Sequence, residues 1–305
     1  GSEAVEAALK TAMLATGRSR FAAFRGAYHG LSFGALAVGG IERFRAPFAG
    51  ALKEGPLLLD YPRAQAPGVQ AATVARDTLA AHPEVAALIV EPIQGRAGCI
   101  VPPDGYLRAL RRACRELGIV MVADEIYTGF GRTGCWFAVD REAVVPDIIC
   151  IGKAMGSGVP ISAACGLPDI MDAWPLSTGE ALHTSTYLGN PIGCAAALAT
   201  IDEMERLNLP ARAAELGTHL ERRLRALNAA PCVVDVRGRG LLWGVELRDG
   251  AVAFTVVKEA LARGVILLQS GLRGETVTIS PPLVIEMDQL DLAVDVLART
   301  IGAAR

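Results

Sequence analysis

Read for the spacing of apolar and polar positions, the chain alternates short β-branched runs with longer stretches of helical period. Runs at 20–25, 85–90, 119–123 and 147–151 are too short for helices and read as buried strands. At the start, Val5, Ala8, Leu9, Ala12 and Met13 share one face, with Ser2 as a capping residue type and Glu3 and Glu6 in the first turn, which predicts a helix. A short helix is expected at 31–38, and a loop at 39–56, where Gly, Pro and mixed charge gather. Helical spacing returns at 68–81 through Val69, Ala72, Leu79 and Ala80. Pro102-Pro103-Asp104-Gly105 opens another helix that runs to Leu117, with Gly118 as its stop. This strand–helix–strand order makes the 85–90 and 119–123 strands parallel. A further strand is expected at 162–166, then an alanine-rich helix at 191–207 that Asn208-Leu209-Pro210 breaks.

Beyond Pro210 the pattern changes. A helix at 211–227 precedes strands at 233–236 and 241–247, a helix at 252–263, strands at 265–268 and 276–279, and a last helix from Asp288. The expected fold is α/β: a mainly parallel sheet flanked by helices, in a large cofactor-binding domain at 1–210. A smaller C-terminal α+β domain follows at 211–305.

With 305 residues the chain can bury a large core, and 51% hydrophobic against 20% charged residues is an ordinary globular balance. A formal net charge of −2 leaves no electrostatic footprint for nucleic acid or an anionic membrane, and neither partner is expected. No apolar run approaches the ~18 residues of a membrane span. The seven cysteines are scattered, without a metal-type CxxC pair, so no metal site is expected and a reducing, cytoplasmic setting is.

The candidate chemistry sits where strands end. The 85–90 run leads into Glu91, the 119–123 run into Asp124, and the 147–151 run into Gly152-Lys153 with Gly156 and Gly158 beyond. An apolar setting lowers a lysine's pKa, and the neutral amine is the form that attacks an aldehyde. A lysine at a strand end can equally snorkel to solvent. An acid on the neighbouring strand end favours the first reading. Pyridoxal phosphate needs a lysine for its aldehyde and a carboxylate for its ring nitrogen.

The segment Ala123-Asp124-Glu125-Ile126-Tyr127-Thr128-Gly129-Phe130-Gly131-Arg132-Thr133-Gly134, with Gly152-Lys153, resembles the class III (ω-amino-acid) aminotransferases of pyridoxal-phosphate fold type I. Four further stretches resemble family landmarks: 91–95, 183–191, 237–241 and 280–285. The resemblance implies Lys153 as the Schiff-base lysine, Asp124 as the ring-nitrogen partner and Glu91 as a shaper of the loop at the site's mouth. It implies cofactor contacts from Gly1 and Ser2 at a phosphate-binding helix start, and from Tyr28-His29, Ile126 and Tyr127, the last where some relatives have Gln. Thr186 falls on the residue that reaches the phosphate held by a neighbouring subunit, which implies at least a homodimer. Family members carry a segment before Gly1, so the chain is expected to lack its N-terminal part. The expected reaction moves an amino group from an ω-amino acid or amine to a 2-oxo acid, as 4-aminobutyrate, ornithine and acetylornithine aminotransferases do. The alternatives are a same-fold aminomutase or decarboxylase, or a truncated chain acting only by association.

Two positions depart from the family pattern. Arg96 stands where ornithine- and 4-aminobutyrate-type members often carry Glu, and Thr278 stands where their pairing arginine is expected. Arg96 is accordingly expected to grip the carboxylate of the acceptor.

Overall fold

The computed structural model describes residues 1–52 and 55–304. One sheet holds β1 (Arg20–Phe24), β2 (Leu57–Leu59), β3 (Val85–Val90), β4 (Val120–Asp124), β5 (Ile148–Ile151) and β6 (Ala163–Gly166), in the spatial order β2-β1-β3-β4-β5-β6. The first five are parallel, and β6 runs antiparallel to β5. Every residue of β3 and β4 is buried, which is why unbroken apolar runs rather than alternation mark them in the sequence.

The α-helices up to residue 206 are α1 (Ser2–Thr16), α2 (Phe33–Ala37), α3 (Glu42–Arg45), α4 (Gly68–Ala80), α5 (Tyr106–Leu117), α6 (Pro168–Met171) and α7 (Pro191–Arg206). Side chains of β4 alternate between two helical layers. Val120 and Val122 meet Val5, Ala8 and Leu9 of α1, whereas Met121 and Ala123 join Leu79 of α4 and Leu110 of α5. The sheet is thus covered on both faces, and its polar business is confined to its ends.

The second sheet is wholly antiparallel, in the order β7-β8-β10-β9, from β7 (Val233–Arg239), β8 (Leu242–Leu247), β9 (Leu268–Ser270) and β10 (Thr276–Ile279). It shares one core with α8 (Leu209–Arg225), α9 (Gly250–Leu261) and α10 (Met287–Ala303), built around the buried Trp243 with Leu216, Leu220, Val256, Leu290 and Leu297.

The structure differs from the sequence pattern at several joints. The 39–56 stretch is not all loop: α3 and a 3-10 turn at Ala46–Ala51 occupy part of it, while residues 53 and 54 lie outside the described residues. Ser2 makes no side-chain cap on α1; Gly1 holds the cap position. The helix expected to open at Pro102 begins at Tyr106, because Glu142 reaches across to accept the amides of Gly105 (3.0 Å) and Arg108 (2.9 Å). The helix does break at Asn208, which takes φ 47°, but α8 starts at Leu209 rather than 211, because a proline in the first turn forfeits no intrahelical bond. The apolar run at 265–268 is mostly not strand. Gly264 turns the chain and the Val265 amide bonds back to Ala260 O at 3.0 Å, so pairing waits until Leu268.

Candidate active site

Glu91, Asp124 and Lys153 come from the carboxyl ends of β3, β4 and β5, three adjacent parallel strands, so register alone sets them side by side at one sheet edge. A cavity of about 550 Å³ opens there, of a size that suits a small ligand. Gly1, Ser2, Tyr28, His29, Glu91, Arg96, Asp124, Ile126, Tyr127 and Lys153 all line it. Thr186 does not. It lies on the exposed segment after Trp174 and lines a larger cavity of about 1560 Å³ that shares Gly1 and Lys153 with the first.

Asp124 is buried. Its Oδ2 lies 2.7 Å from His29 Nδ1, and its Oδ1 accepts the Ile126 amide at 3.1 Å. His29 Nε2 is also buried and has no hydrogen-bond partner among the described residues. The carboxylate is therefore engaged at both oxygens, with the Lys153 ammonium as a nearby cation.

Lys153 follows Gly152 with φ 44°, a left-handed conformation that turns the chain sharply out of β5. Its surface is open only because it fronts both cavities. The protein around its ammonium still lowers its pKa by burial, against the opposing pull of the Asp124 and Glu91 carboxylates. Its Nζ stands 5.1 Å from the centre of the Tyr127 ring. It is thus the ring of Tyr127 that meets the lysine.

Glu91 accepts the amides of Tyr28 at 2.9 Å and Gly95 at 3.2 Å. Burial nevertheless pushes its pKa up to about 7. Those two bonds tie the Tyr28 turn to the 94–100 loop. Gly95 faces Tyr127 so closely that a Cβ there would come within 2.3 Å of the ring. The Tyr28 ring packs edge-on to Phe44, with centroids 5.6 Å apart.

The residues suit pyridoxal phosphate. The amides of Ser2, Glu3 and Ala4, at the α1 N-terminus, find no hydrogen-bond partner among the described residues, and such a terminus favours an anion. Gly30 admits Ser2 to the cavity wall, since a Cβ on it would lie 2.1 Å from Ser2 Oγ. A phosphate cradle, an amine for an aldehyde and a buried carboxylate for a ring nitrogen thus line one cavity.

Sequence reasoning missed two features. The β9–β10 edge of the second sheet brings Leu268 and Ser270 to the same cavity, beside Thr278, which the departure from the family pattern had already marked. Glu125 was passed over beside Asp124. Its side chain accepts the Thr128 hydroxyl and the Val139 amide (2.9 Å), and burial raises its pKa to about 7. It fixes the 125–139 loop rather than facing the cavity.

The pattern of the family described as Aminotransferase class-III matches residues 1–301. Solved structures agree. An amine transaminase from an uncultivated Pseudomonas species, determined with pyridoxal phosphate bound, is 34% identical with a TM-score of 0.91, over 100% of this chain and 76% of that one. A thermostable (S)-enantioselective omega-transaminase from Thermomicrobium roseum is 30% identical (TM-score 0.92), over 100% and 73%. The ornithine aminotransferase of Toxoplasma gondii is 32% identical (TM-score 0.88), over 100% and 71%. The chain therefore spans about three quarters of the length of these relatives. A buried acid and a lysine of lowered pKa on neighbouring strand ends are what pyridoxal-phosphate chemistry requires, and this chain belongs to the class III aminotransferase family, whose members use that cofactor to transfer amino groups.

Proposed function

We propose that the amino donor is an ω-amino acid or an amine and the acceptor a 2-oxo acid, as in 4-aminobutyrate, ornithine and acetylornithine aminotransferases. The observation that carries this reading is the neutral wall contributed by the second sheet. Thr278 is buried, and its Oγ1 lies 2.5 Å from Ser270 Oγ, so the two hydroxyls satisfy each other and give a donor carboxylate no charge to bind. A donor whose reacting carbon bears no carboxylate suits such a wall. The amine transaminase and ornithine aminotransferase relatives support the same class.

When bound, pyridoxal phosphate supplies an aldehyde that condenses with amines and a ring that withdraws electrons from the carbon beside the nitrogen. Lys153 would hold it by the aldehyde. Freed by the donor, Lys153 Nζ would take the proton from the donor carbon, a task that its lowered pKa suits. Asp124 would face the ring nitrogen, aligned by His29 and the Ile126 amide. Gly1 and Ser2 would receive the phosphate, and Tyr28 and Ile126 would flank the ring. Glu91 would keep the Tyr28 and Gly95 backbones in place.

We place the division between the cofactor-binding and small domains at Pro210, where α7 gives way to α8. We also propose at least a homodimer, with Thr186 serving the phosphate of the second copy. Leu176, Leu182, Tyr187, Ile192 and Leu198 expose 63–95% of their surface around that segment, an apolar face that a second copy would cover. The seven unpaired cysteines fit a reducing, cytoplasmic setting. Among the described residues, no helix is long and apolar enough to cross a membrane.

The test is a donor panel: 4-aminobutyrate, ornithine and simple primary amines against α-amino acids, each read as a change in the bound cofactor's absorption that pyruvate then reverses. Reaction with α-amino acids alone, or conversion of donors without consumption of a 2-oxo acid, would overturn this reading.

A further inference from the structure

A 2-oxo acid brings a carboxylate one bond from its reacting carbonyl, and that carboxylate has to be seated in the cavity. Two cationic side chains, Lys153 and Arg96, line the space, together with the imidazole of His29. Lys153 is committed to the reacting atoms under the function proposed above. His29 Nδ1 is engaged with Asp124 at 2.7 Å. Arg96 alone is uncommitted. It is exposed at the rim, and no carboxylate or other hydrogen-bond partner meets its side chain among the described residues.

Its backbone, by contrast, is fixed. The Arg96 carbonyl accepts the Gly271 amide at 3.0 Å, which docks the loop on the second sheet beside Ser270. On one side of it, the Gly95 amide donates to Glu91. On the other, Gly98 O accepts Arg237 Nε at 2.9 Å, and paired 3.0 Å bonds between Gln94 and Ile100 close the loop. A free guanidinium on a pinned backbone at the mouth of a cavity is an organised anion site, since a guanidinium grips a carboxylate with two parallel bonds. The adjoining wall, Ser270 and Thr278, is neutral and offers no rival cation.

We propose that Arg96 seats the carboxylate adjacent to the reacting carbonyl of the 2-oxo acid acceptor, and so makes the enzyme prefer 2-oxo acids to aldehydes. This rests on the transaminase reading. The experiment compares kcat/KM of the holoenzyme for pyruvate and 2-oxoglutarate with that for propanal, which lacks a carboxylate, and for succinate semialdehyde, which has only a distal one. Arg96→Ala is expected to lower both 2-oxo acids relative to both aldehydes by about 10- to 100-fold, the range for a lost charge-assisted pair. Arg96→Lys, which keeps the charge but not the fork, is expected to restore part of the ratio. Arg273→Ala, a cation on the adjoining turn outside the cavity lining, serves as the control and keeps the wild-type ratio.

A second arm needs no turnover: propionate perturbs the bound cofactor's absorption in the wild type, with an apparent affinity at least about tenfold weaker in Arg96→Ala. An unchanged ratio, a loss that follows the distal carboxylate, or equal propionate affinity would each overturn the assignment. A wild type that binds propionate through Arg96 but turns over no acceptor would leave the clamp standing and sink the transaminase reading instead.

Discussion

Arg237 is the side chain on which the second sheet and the catalytic loop depend together. It is 9% exposed, donates from Nε to Gly98 O at 2.9 Å, and places Nη1 at 2.9 Å from Asp235 and 2.5 Å from Glu246. Burial alone would raise Glu246, but the Arg237 charge, with hydrogen bonds from Arg237 and Arg63, holds it below its ordinary value. Arg237→Met keeps most of the volume and removes the charge. It leaves Glu246 with Arg63 alone, at 3.1 Å from a half-exposed side chain. Removing one partner of a buried pair costs roughly 3–5 kcal/mol, so chemical denaturation should show a loss of about 3 kcal/mol and a Tm lower by roughly 5 °C. The charge left behind is the cause, so Arg237→Met with Glu246→Gln should recover at least half of the loss. The sign of the pH effect follows. In the single variant, burial raises Glu246, so protonation relieves its penalty, and the gap to wild type should narrow as the pH falls toward 4. A loss below about 1 kcal/mol, or a double variant no better than the single one, would refute the argument.

Three further outcomes follow from the same geometry. Lys153→Ala should abolish transamination and the visible absorption of the attached cofactor while leaving the circular dichroism of the fold intact; a retained band or activity would refute the assignment. Asp124→Asn should still bind the cofactor but lose most of its turnover, and full activity would show that another group serves the ring nitrogen. For Glu91, the folded pKa of about 7 lies above the ordinary 4.5, so the folded state keeps a proton that the unfolded state releases. Stability should then fall as the pH rises from about 4.5 to 7, by on the order of 3 kcal/mol from this group, and Glu91→Gln should flatten that slope; an unchanged slope in denaturation across that window would refute it.

Much of the frame was legible because the parallel strands are buried on both faces. Runs such as Ala86-Ala87-Leu88-Ile89-Val90 leave only one way to be read, and each ends in the ionisable residue that the fold uses. The joints were less legible, since they depend on partners distant in sequence. Nothing local says that Glu142 will cap α5, 37 residues from Gly105. The site followed the same rule. Lys153, Asp124 and Glu91 could be read from their own strands, whereas the pairing of His29 with Asp124 crosses 95 residues, and the Ser270–Thr278 wall arrives from the other sheet. Tyr127 was placed by its position in the chain, and its ring stands 5.1 Å from Lys153 Nζ.

That distribution bears on how the cavity keeps one working charge. Glu91 and Asp124 leave neighbouring strands, and two carboxylates so close would compete for the same cationic ligand atom. Their partners separate them. Glu91 receives only two backbone amides, and burial moves it toward its protonated form. Asp124 receives the Ile126 amide at one oxygen and sits against the His29 ring at the other, and an imidazole N–H can stabilise the anion there. Lys153 is pushed toward its neutral form by the same burial. Below about pH 7, where Glu91 holds its proton, a neutral acid stands beside Asp124. Asp124 is then the acid left to meet a protonated ring nitrogen, its two oxygens aligned by His29 and the Ile126 amide.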